Sequence, residues 1–240
     1  MSKLVWDQSG QREFESGVRN VVLFPMGTGD TYENGVAWNG VTAISENPGG
    51  ADVSDLYADD IKYASLRAAE TFGCTIEAYT YPDEWNECDG SAEAVTGVFI
   101  GQQNRKAFGL AYRTEIGDDV HPGMDKGYKL HVVYNSTASP SGRSYSTIND
   151  NPDAITFSWE ATSTPVNCTG HKAVSTITID STKADSTKLK TLEDMLYGSE
   201  NTESTLPNPD TLLGLFKTNG STTPPANGNT ETGNTETSNP

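Results

Sequence analysis

Alternation of apolar and polar positions is the clearest pattern along the chain. Every second residue is apolar in 128–134, and 155–161 repeats the pattern with apolar residues at 155, 157, 159 and 161. A period of two is typical of a strand with one buried face. Similar stretches predict further strands at 17–26, 35–44, 74–81, 95–102, 106–114 and 173–180. About eight strands without intervening helices indicate a β-sandwich or partly open barrel.

Helical spacing is concentrated near the C-terminal end. Leucines at 189, 192 and 196 lie on one face of a predicted helix over 185–197, a residue at 185 or 186 can cap it, and Gly198 can end it. A shorter helix is predicted from Asn208 as cap and Pro209 at the first position, through residue 216. The stretch 59–72 is a weaker helix candidate. We expect the C-terminal helices to flank the sandwich.

The last 24 residues differ from the rest of the chain. They contain no aromatic or large aliphatic residue, and the pentapeptide Gly-Asn-Thr-Glu-Thr occurs there twice in tandem. A segment without apolar surface cannot offset the entropy lost on ordering. We therefore expect one folded domain over 1–216 and a disordered tail over 217–240.

The charge balance is strongly acidic. The chain has 33 Asp and Glu against 16 Lys and Arg, a net charge of −17. Residues 46–93 account for −10 of this, with twelve acids and two bases. The longest basic feature is the dipeptide Arg105-Lys106, which is too short to neutralise a row of phosphates. Proteins that hold nucleic acid by direct contact are therefore excluded.

Membrane segments and disulfides are not expected either. No window approaches ~18–20 consecutive apolar residues, and the first 24 residues lack the basic start and apolar run of a secretory signal. The three cysteines, Cys74, Cys88 and Cys168, show no Cys-x-x-Cys spacing. We expect free thiols and no membrane partner.

One acidic loop invites an enzymatic interpretation. Residues 81–90 place four carboxylates around Trp85, near Tyr81. Paired carboxylates beside an aromatic platform are what a glycosidase or carbohydrate-binding module uses. The alternative is an acidic loop leaving a strand, with Trp85 packed over the core. Nothing in the sequence indicates which of the four carboxylates would have the raised pKa that a general acid needs.

Other arrangements of reactive residues are weaker. Residues 117–125 hold three acids and His121, but they match neither the EF-hand spacing nor a His-x-x-x-His pair. There is no Gly-x-Ser-x-Gly elbow, and the glycines of 25–30 lack the P-loop lysine. We expect no catalytic residue, no metal site and no cofactor.

Several short motifs follow one another in a fixed order. They are Pro48-Gly49-Gly50-Ala51, LYADDIKY at 56–63, FGCTIEAYTYPDEW at 72–85, IGQQNRK at 100–106 with FGL at 108–110, and YSTIND at 145–150. Together, over about residues 3–216, they resemble the major tail tube proteins of phages with long, non-contractile tails that infect Gram-positive bacteria. The same family occurs in prophages and phage-derived particles.

The resemblance implies a β-sandwich flanked by helix, related to the type VI secretion tube protein. It implies a structural protein, not an enzyme, whose six copies form a ring that stacks into a hollow tube for DNA ejection. The implied partners are further copies and other tail proteins, namely the tape measure, the terminator and the baseplate or distal tail. The implied location is the virion tail, assembled in the bacterial host cytoplasm. A hexameric tail-completion protein that does not polymerise is an alternative within the same fold.

The resemblance also implies a long loop that contacts the next ring, here about 45–69. The expected contact residues within this loop and after it are Pro48, Gly49, Gly50, Leu56, Tyr57, Asp59, Asp60, Lys62, Tyr63, Arg67, Arg105 and Lys106. Because this loop is acidic, stacking needs basic partners on the next ring, for which Arg105, Lys106, Lys126 and Lys129 are available.

A tube that passes DNA without holding it needs a wall that repels phosphate. Fixed negative charge in a confined channel does this by Coulomb repulsion. The acids expected in the lumen or in salt bridges between rings are Glu77, Asp83, Glu84, Glu87 and Asp89. The acidity is then a functional property and not only a source of solubility.

Overall fold

The computed structural model describes residues 3–29, 31–120, 123, 125–148 and 153–217. The strands are β1 (Phe14–Pro25), β2 (Val36–Ala37), β3 (Val41–Glu46), β4 (Gly49–Gly50), β5 (Val53–Ala58), β6 (Ile61–Arg67), β7 (Glu70–Ala78), β8 (Ala92–Val95), β9 (Val98–Ile100), β10 (Phe108–Gly117), β11 (Gly127–Ala138), β12 (Phe157–Ser163) and β13 (Thr176–Asp180). The helices are α1 (Trp85–Cys88), α2 (Ser186–Tyr197) and α3 (Pro209–Phe216).

Nine of these strands form one antiparallel sheet in the order β2-β1-β10-β11-β12-β7-β3, with β13 beside β11 and β4 beside β7. Strand β11 is shared between two halves. Its residues 129–133 pair with β13, and its end at 136–138 pairs with β12. We call β1, β10, β11 and β13 the helix-side half, and β12, β7 and β3 the outer half. The described strands do not close into a barrel.

The two halves enclose the first hydrophobic core. Inward residues of β7 and β12, such as Ile76 and Trp159, meet Leu23, Leu110 and Val133 of the helix-side half. Trp159 is nearly fully buried. Burying an aliphatic side chain such as Ile76 or Leu110, each 0% exposed, stabilises the fold by about 1.5–3 kcal/mol. This core fixes the outer half against the helix-side half.

The second core lies on the opposite face of the helix-side half, under α2 and α3. Leu192 and Leu196 of α2 pack with Leu130 and Val132 of β11. The side chain of Asp185 caps α2 by accepting hydrogen bonds from the backbone N–H groups of residues 187 and 188, both at 3.0 Å. Asn208 caps α3 in the same way. The predicted mainly β fold with flanking helices is confirmed, as are both helices.

Three predicted elements were wrong. Residues 59–72 form no helix. They contain the turn between β5 and β6, all of β6 and the start of β7. The predicted strand 35–44 is divided by a turn at Asn39-Gly40, where Gly40 has φ 80°. The predicted strand 95–102 is a hairpin that turns at Thr96-Gly97. The turns at Asn39-Gly40 and Thr96-Gly97 interrupt segments that were expected to be continuous strands. Of the predicted tail 217–240, only Lys217 is among the described residues.

Candidate assembly surfaces

One continuous ribbon runs from β3 to β7. The ladder begins at Val41 opposite Ala78, continues through Gly49 opposite Thr71, and ends at Ala58 opposite Ile61. Backbone hydrogen bonds from 51 to 69 at 3.2 Å and from 68 to 52 at 2.9 Å join the inner and outer parts. We call the outer part, β5, β6 and the turn between them, the arm.

The tip of the arm is a two-residue turn, with φ of 51° at Asp59 and 62° at Asp60. Positive φ at both central residues is the geometry that matches the twist of a hairpin. Asp55 accepts a hydrogen bond from the hydroxyl of Ser65 at 2.6 Å and pairs with the ammonium of Lys62 at 2.8 Å. Both contacts lower the pKa of Asp55, and Lys62 has the larger effect. They hold the two strands of the arm in register.

The arm is exposed on both faces. All its residues are exposed except Ala64, which is half-buried, and β5 and β6 pack mainly on each other. Its six large apolar side chains are between 44% and 75% exposed; they are Val53, Leu56, Tyr57, Ile61, Tyr63 and Leu66. A two-stranded hairpin alone is marginally stable in water, and clustered exposed apolar groups mark interaction sites. The arm has the composition of a contact surface.

The base of the arm requires glycine. Gly50 has φ 75°, and a Cβ there would lie 2.5 Å from the carbonyl oxygen of Ala69. The next residue, Ala51, also has positive φ, 55°. The predicted contact residues Pro48, Gly49 and Gly50 therefore form the joint between the arm and the body. The predicted residues from Leu56 to Arg67 lie on the arm itself.

Arg105 and Lys106 lie elsewhere, beside α1. Arg105 pairs with Asp89 at 3.2 Å, and Lys106 contacts Glu33 at 2.8 Å and Glu87 at 2.9 Å. The structure thus separates these two bases from the arm of their own chain. It also engages both of them with acids of the same chain.

The other two bases expected to neutralise a stacked arm are engaged in the same way. Lys126 pairs with Glu13 at 2.7 Å and with Asp118 at 2.9 Å. Lys129 pairs with Glu15 at 2.5 Å. Burial raises the pKa of Glu15, but hydrogen bonds from Lys129 and Thr114 outweigh it and lower the pKa overall. All four bases proposed as partners between rings are paired within the subunit.

The acids from 83 to 89 surround α1 and not a sheet face. Asp83, Glu84 and Glu87 line a cleft with Lys106. Asp89 is largely buried and pairs with both Arg105 and Arg143. The guanidinium of Arg143 also lies 5.5 Å from the ring centre of Tyr81. Asp89 therefore joins α1 to the segment after β11.

Glu77 lies on a different surface, the outward face of the outer half. It is opposite Ser158 in the ladder, and the neighbouring pair is Thr75 opposite Glu160. The three strands of this half contain no Lys or Arg. The outward face is thus built from small polar groups and carboxylates. Glu160 was missed by sequence reasoning, although its position in the alternation of 155–161 placed it on the polar face.

Trp85, the aromatic residue expected to form the platform of a sugar site, does not lie on the surface. Trp85 is fully buried, with its ring centre 4.6 Å from that of Trp38 and 4.9 Å from that of Phe108. Tyr81 packs edge-on against Trp159. The 81–90 segment is therefore an acidic loop whose tryptophan completes the first core.

The other candidate reactive groups are metal-ligating side chains and thiols. Within the described residues, no three of His, Cys, Asp and Glu are grouped to hold a metal ion. His121 of the 117–125 segment lies outside those residues. All three cysteines are buried and free, as predicted, and burial raises the pKa of Cys74 and of Cys88 to about 12.

In the part of the chain that the structure describes, no helix is long and apolar enough to span a membrane. No protein-family model matches the chain, and no curated protein matches it.

Proposed function

We propose that the protein is a structural subunit whose six copies form a ring, and that the rings stack into a hollow tube that conducts DNA. This is the tail tube of a long, non-contractile phage tail or of a phage-derived particle. The observation that carries the proposal is the arm, because its apolar side chains have no covering layer in the single subunit.

A second copy supplies that covering layer. Removing apolar surface from water contributes about 25 cal/mol per Å², so contact between a neighbouring copy and the arm favours assembly. A contact between two different surfaces of identical subunits is heterologous, and it propagates as an open filament where it does not close. The arm therefore supports stacking beyond a single pair of subunits.

The charge distribution supports DNA passage. With the outer half lining the channel, Glu77 and Glu160 of each subunit face the lumen, and β3, β7 and β12 add no base. Repeating these acids around a ring raises the negative potential in a confined space. Phosphate then finds no cation on this wall to bind.

The open edge of the outer half supports ring closure. Strand β3 is hydrogen-bonded to β7 on one side, and it is the last strand of the sheet as described. Exposed strand edges tend to pair with other strands. Joining the outer halves of six copies edge to edge covers these edges and forms a continuous wall.

The tube also needs proteins that set its length and close its ends. In this proposal the partners are the tape measure inside the tube, the terminator at one end and the baseplate or distal tail protein at the other. The particle is the virion tail, assembled in the cytoplasm of the bacterial host.

Negative-stain electron microscopy of the concentrated, purified protein tests the proposal. We expect hollow filaments with six subunits per ring. Rings that never stack would favour the tail-completion alternative. Protein that stays monomeric at high concentration, in low and in high salt, would contradict the proposal, because salt screens repulsion between acidic subunits.

A further inference from the structure

A second isolated hairpin is formed by β8 and β9. Residues 93–104 are all exposed, and the two strands pack mainly on each other. Four apolar side chains of this hairpin, Val95, Val98, Phe99 and Ile100, are between 46% and 67% exposed. Like the arm, this hairpin presents apolar groups without a covering layer in the single subunit.

The two hairpins leave the body from opposite ends of the outer half. The arm joins β7 at its beginning, Glu70, whereas α1 and the β8–β9 hairpin follow its end at Ala78. The base of the β8–β9 hairpin is anchored beside α1 by the backbone bond from Gln103 to Gly90 at 2.9 Å. Strand β7 has nine residues, which span about 30 Å at ~3.3 Å per residue.

The two hairpins differ in the number of charged side chains that they carry. Residues 91–104 contain one acid, Glu93, and no base, and the carboxylate of Glu93 accepts a hydrogen bond from the N–H of Gly97 at 2.7 Å. The arm carries three acids, Asp55, Asp59 and Asp60, and two bases, Lys62 and Arg67. An almost uncharged surface can receive this acidic arm without strong repulsion between like charges.

Ionic pairing between rings is the competing explanation, and the structure disfavours it. Arg105, Lys106, Lys126 and Lys129 are each held by acids of their own subunit. Meeting an arm would break the contact of Arg105 with Asp89 and that of Lys126 with Asp118, and both of these carboxylates are largely buried. An apolar contact between subunits leaves these ion pairs within the subunit intact.

We propose that the β8–β9 hairpin is the docking site for the arm of a second copy in the adjacent ring. The inference rests on the proposed function and identifies the surface that the arm contacts. Leu56, Tyr63 and Leu66 of one subunit pack on Val98 and Phe99 of the next. Because donor and receptor lie at opposite ends of the subunit, the contact repeats in one direction and sets the polarity of the tube.

Cysteine cross-linking between two variants tests the docking site. Tyr63→Cys protein is mixed with Phe99→Cys protein under mild oxidation; the native cysteines are buried. We expect a disulfide-linked dimer in the mixture that neither variant forms alone. The control is Tyr145→Cys, an exposed aromatic position outside both hairpins. Equal cross-linking of Y63C to Y145C, or no cross-linking to F99C, would overturn the proposal.

A substitution in the receptor separates this inference from the proposed function. We expect Val98→Ser with Phe99→Ser to leave the melting temperature unchanged and to raise the concentration needed for stacking about tenfold or more. If the unsubstituted protein forms tubes and the variant stacks equally well, the docking site is wrong and the tube stands. If the unsubstituted protein forms neither rings nor tubes and the mixed variants do not cross-link, both proposals fail.

Discussion

The inner and outer parts of the β3–β7 ribbon share one hydrogen-bonded ladder but differ completely in burial. Ile76 in the inner part is 0% exposed, whereas Ile61 in the arm is 65% exposed. The inner part also alternates, with Cys74 and Ala78 buried and Thr75 and Glu77 turned outward. The folding of one chain explains the inner sequence. The folding of one chain leaves the apolar side chains of the arm exposed, and in the proposed tube a second copy covers them.

The largest expected effect is loss of the inner packing. Trp159→Ala removes the ring that contacts Trp38, Trp85 and Phe157, and we expect about 3–5 kcal/mol less free energy of unfolding. Tyr63→Ala in the arm is the matched control, with a change within about 0.5 kcal/mol. Urea denaturation followed by tryptophan fluorescence measures both. Similar losses in the two variants would contradict the distinction between the inner and outer parts.

Polar substitution in the arm should prevent assembly without lowering the free energy of unfolding. Leu66 is paired with Ser54, and Leu56 is paired with Ala64. These two pairs are two residues apart along the ladder, so Leu56 and Leu66 lie on the same face of the arm. We expect Leu56→Ser with Leu66→Ser to abolish tubes in electron micrographs at concentrations where the parent protein forms them, with unchanged stability. Ile148→Ser, at an exposed position away from both hairpins, should still form tubes.

Charge reversal on the outward face sharpens the assignment of the lumen. Glu160→Lys places one added cation per subunit on the outer half, and we expect assembled tubes to bind short duplex DNA in a salt-sensitive way. Glu200→Lys, at an exposed position after α2, is the control and should bind much less DNA. Co-sedimentation of DNA with tubes measures the difference. Equal binding by the two variants would place Glu160 outside the lumen.

The dependence of unfolding on pH should differ between an aspartate of the body, Asp180, and an aspartate of the arm, Asp55. Hydrogen bonds from the hydroxyl of Thr182, with smaller contributions from Lys183, lower the pKa of Asp180 from 3.8 to about 2. Because the folded state holds the ionised form, this stability is present above pH 3.8 and is lost as the pH falls toward about 2. We expect Asp180→Asn to remove less than about 1 kcal/mol near neutral pH. Asp55→Asn, in an exposed pair of the arm, should change the free energy of unfolding less than Asp180→Asn does.

The smallest effect concerns thiol reactivity. Cys74 lies on the inner ribbon, where burial encloses its thiol and raises its pKa to about 12, so the thiol is protonated at neutral pH. We expect no reaction with a thiol-specific reagent in the native protein, followed by full reaction after unfolding. A cysteine introduced at Tyr63 should react at once in dilute protein. Rapid labelling of native Cys74 would show that the inner ribbon opens.

The sequence predicted the elements whose one face is buried by their own chain. The alternation in 155–161 located β12, and Asp185, the leucine spacing and Gly198 defined α2. The stretch 59–72, which includes β6 of the arm, was interpreted as a weak helix because neither face of the arm is buried, so no period of two appears. Its turn, Asp59-Asp60, also lacks the glycine that usually signals a hairpin. A pattern produced by burial within one chain cannot show a surface that, in the proposed tube, is buried by another subunit.

The polar contacts were less predictable than the strands. Asp89 meets Arg143, 54 residues away, and Lys106 meets Glu33, 73 residues away. The sequence shows the charges but not which of them the fold brings together. Arg105 and Lys106 were therefore expected to be free for a neighbouring ring, whereas they stabilise the region around α1. The turn at Asn39-Gly40 was readable from its residues and was missed.

Backbone hydrogen exchange tests the central claim most directly. In dilute protein, we expect amides of the arm, 53–67, to exchange rapidly, because a two-stranded ribbon exposed on both faces opens easily. Amides of the inner ribbon, 74–78, should exchange slowly. On assembly at high concentration, the arm should become protected while the inner ribbon stays unchanged. An arm that is equally protected in dilute and concentrated protein, or that stays unprotected in assembled tubes, would contradict the claim that a second copy covers it.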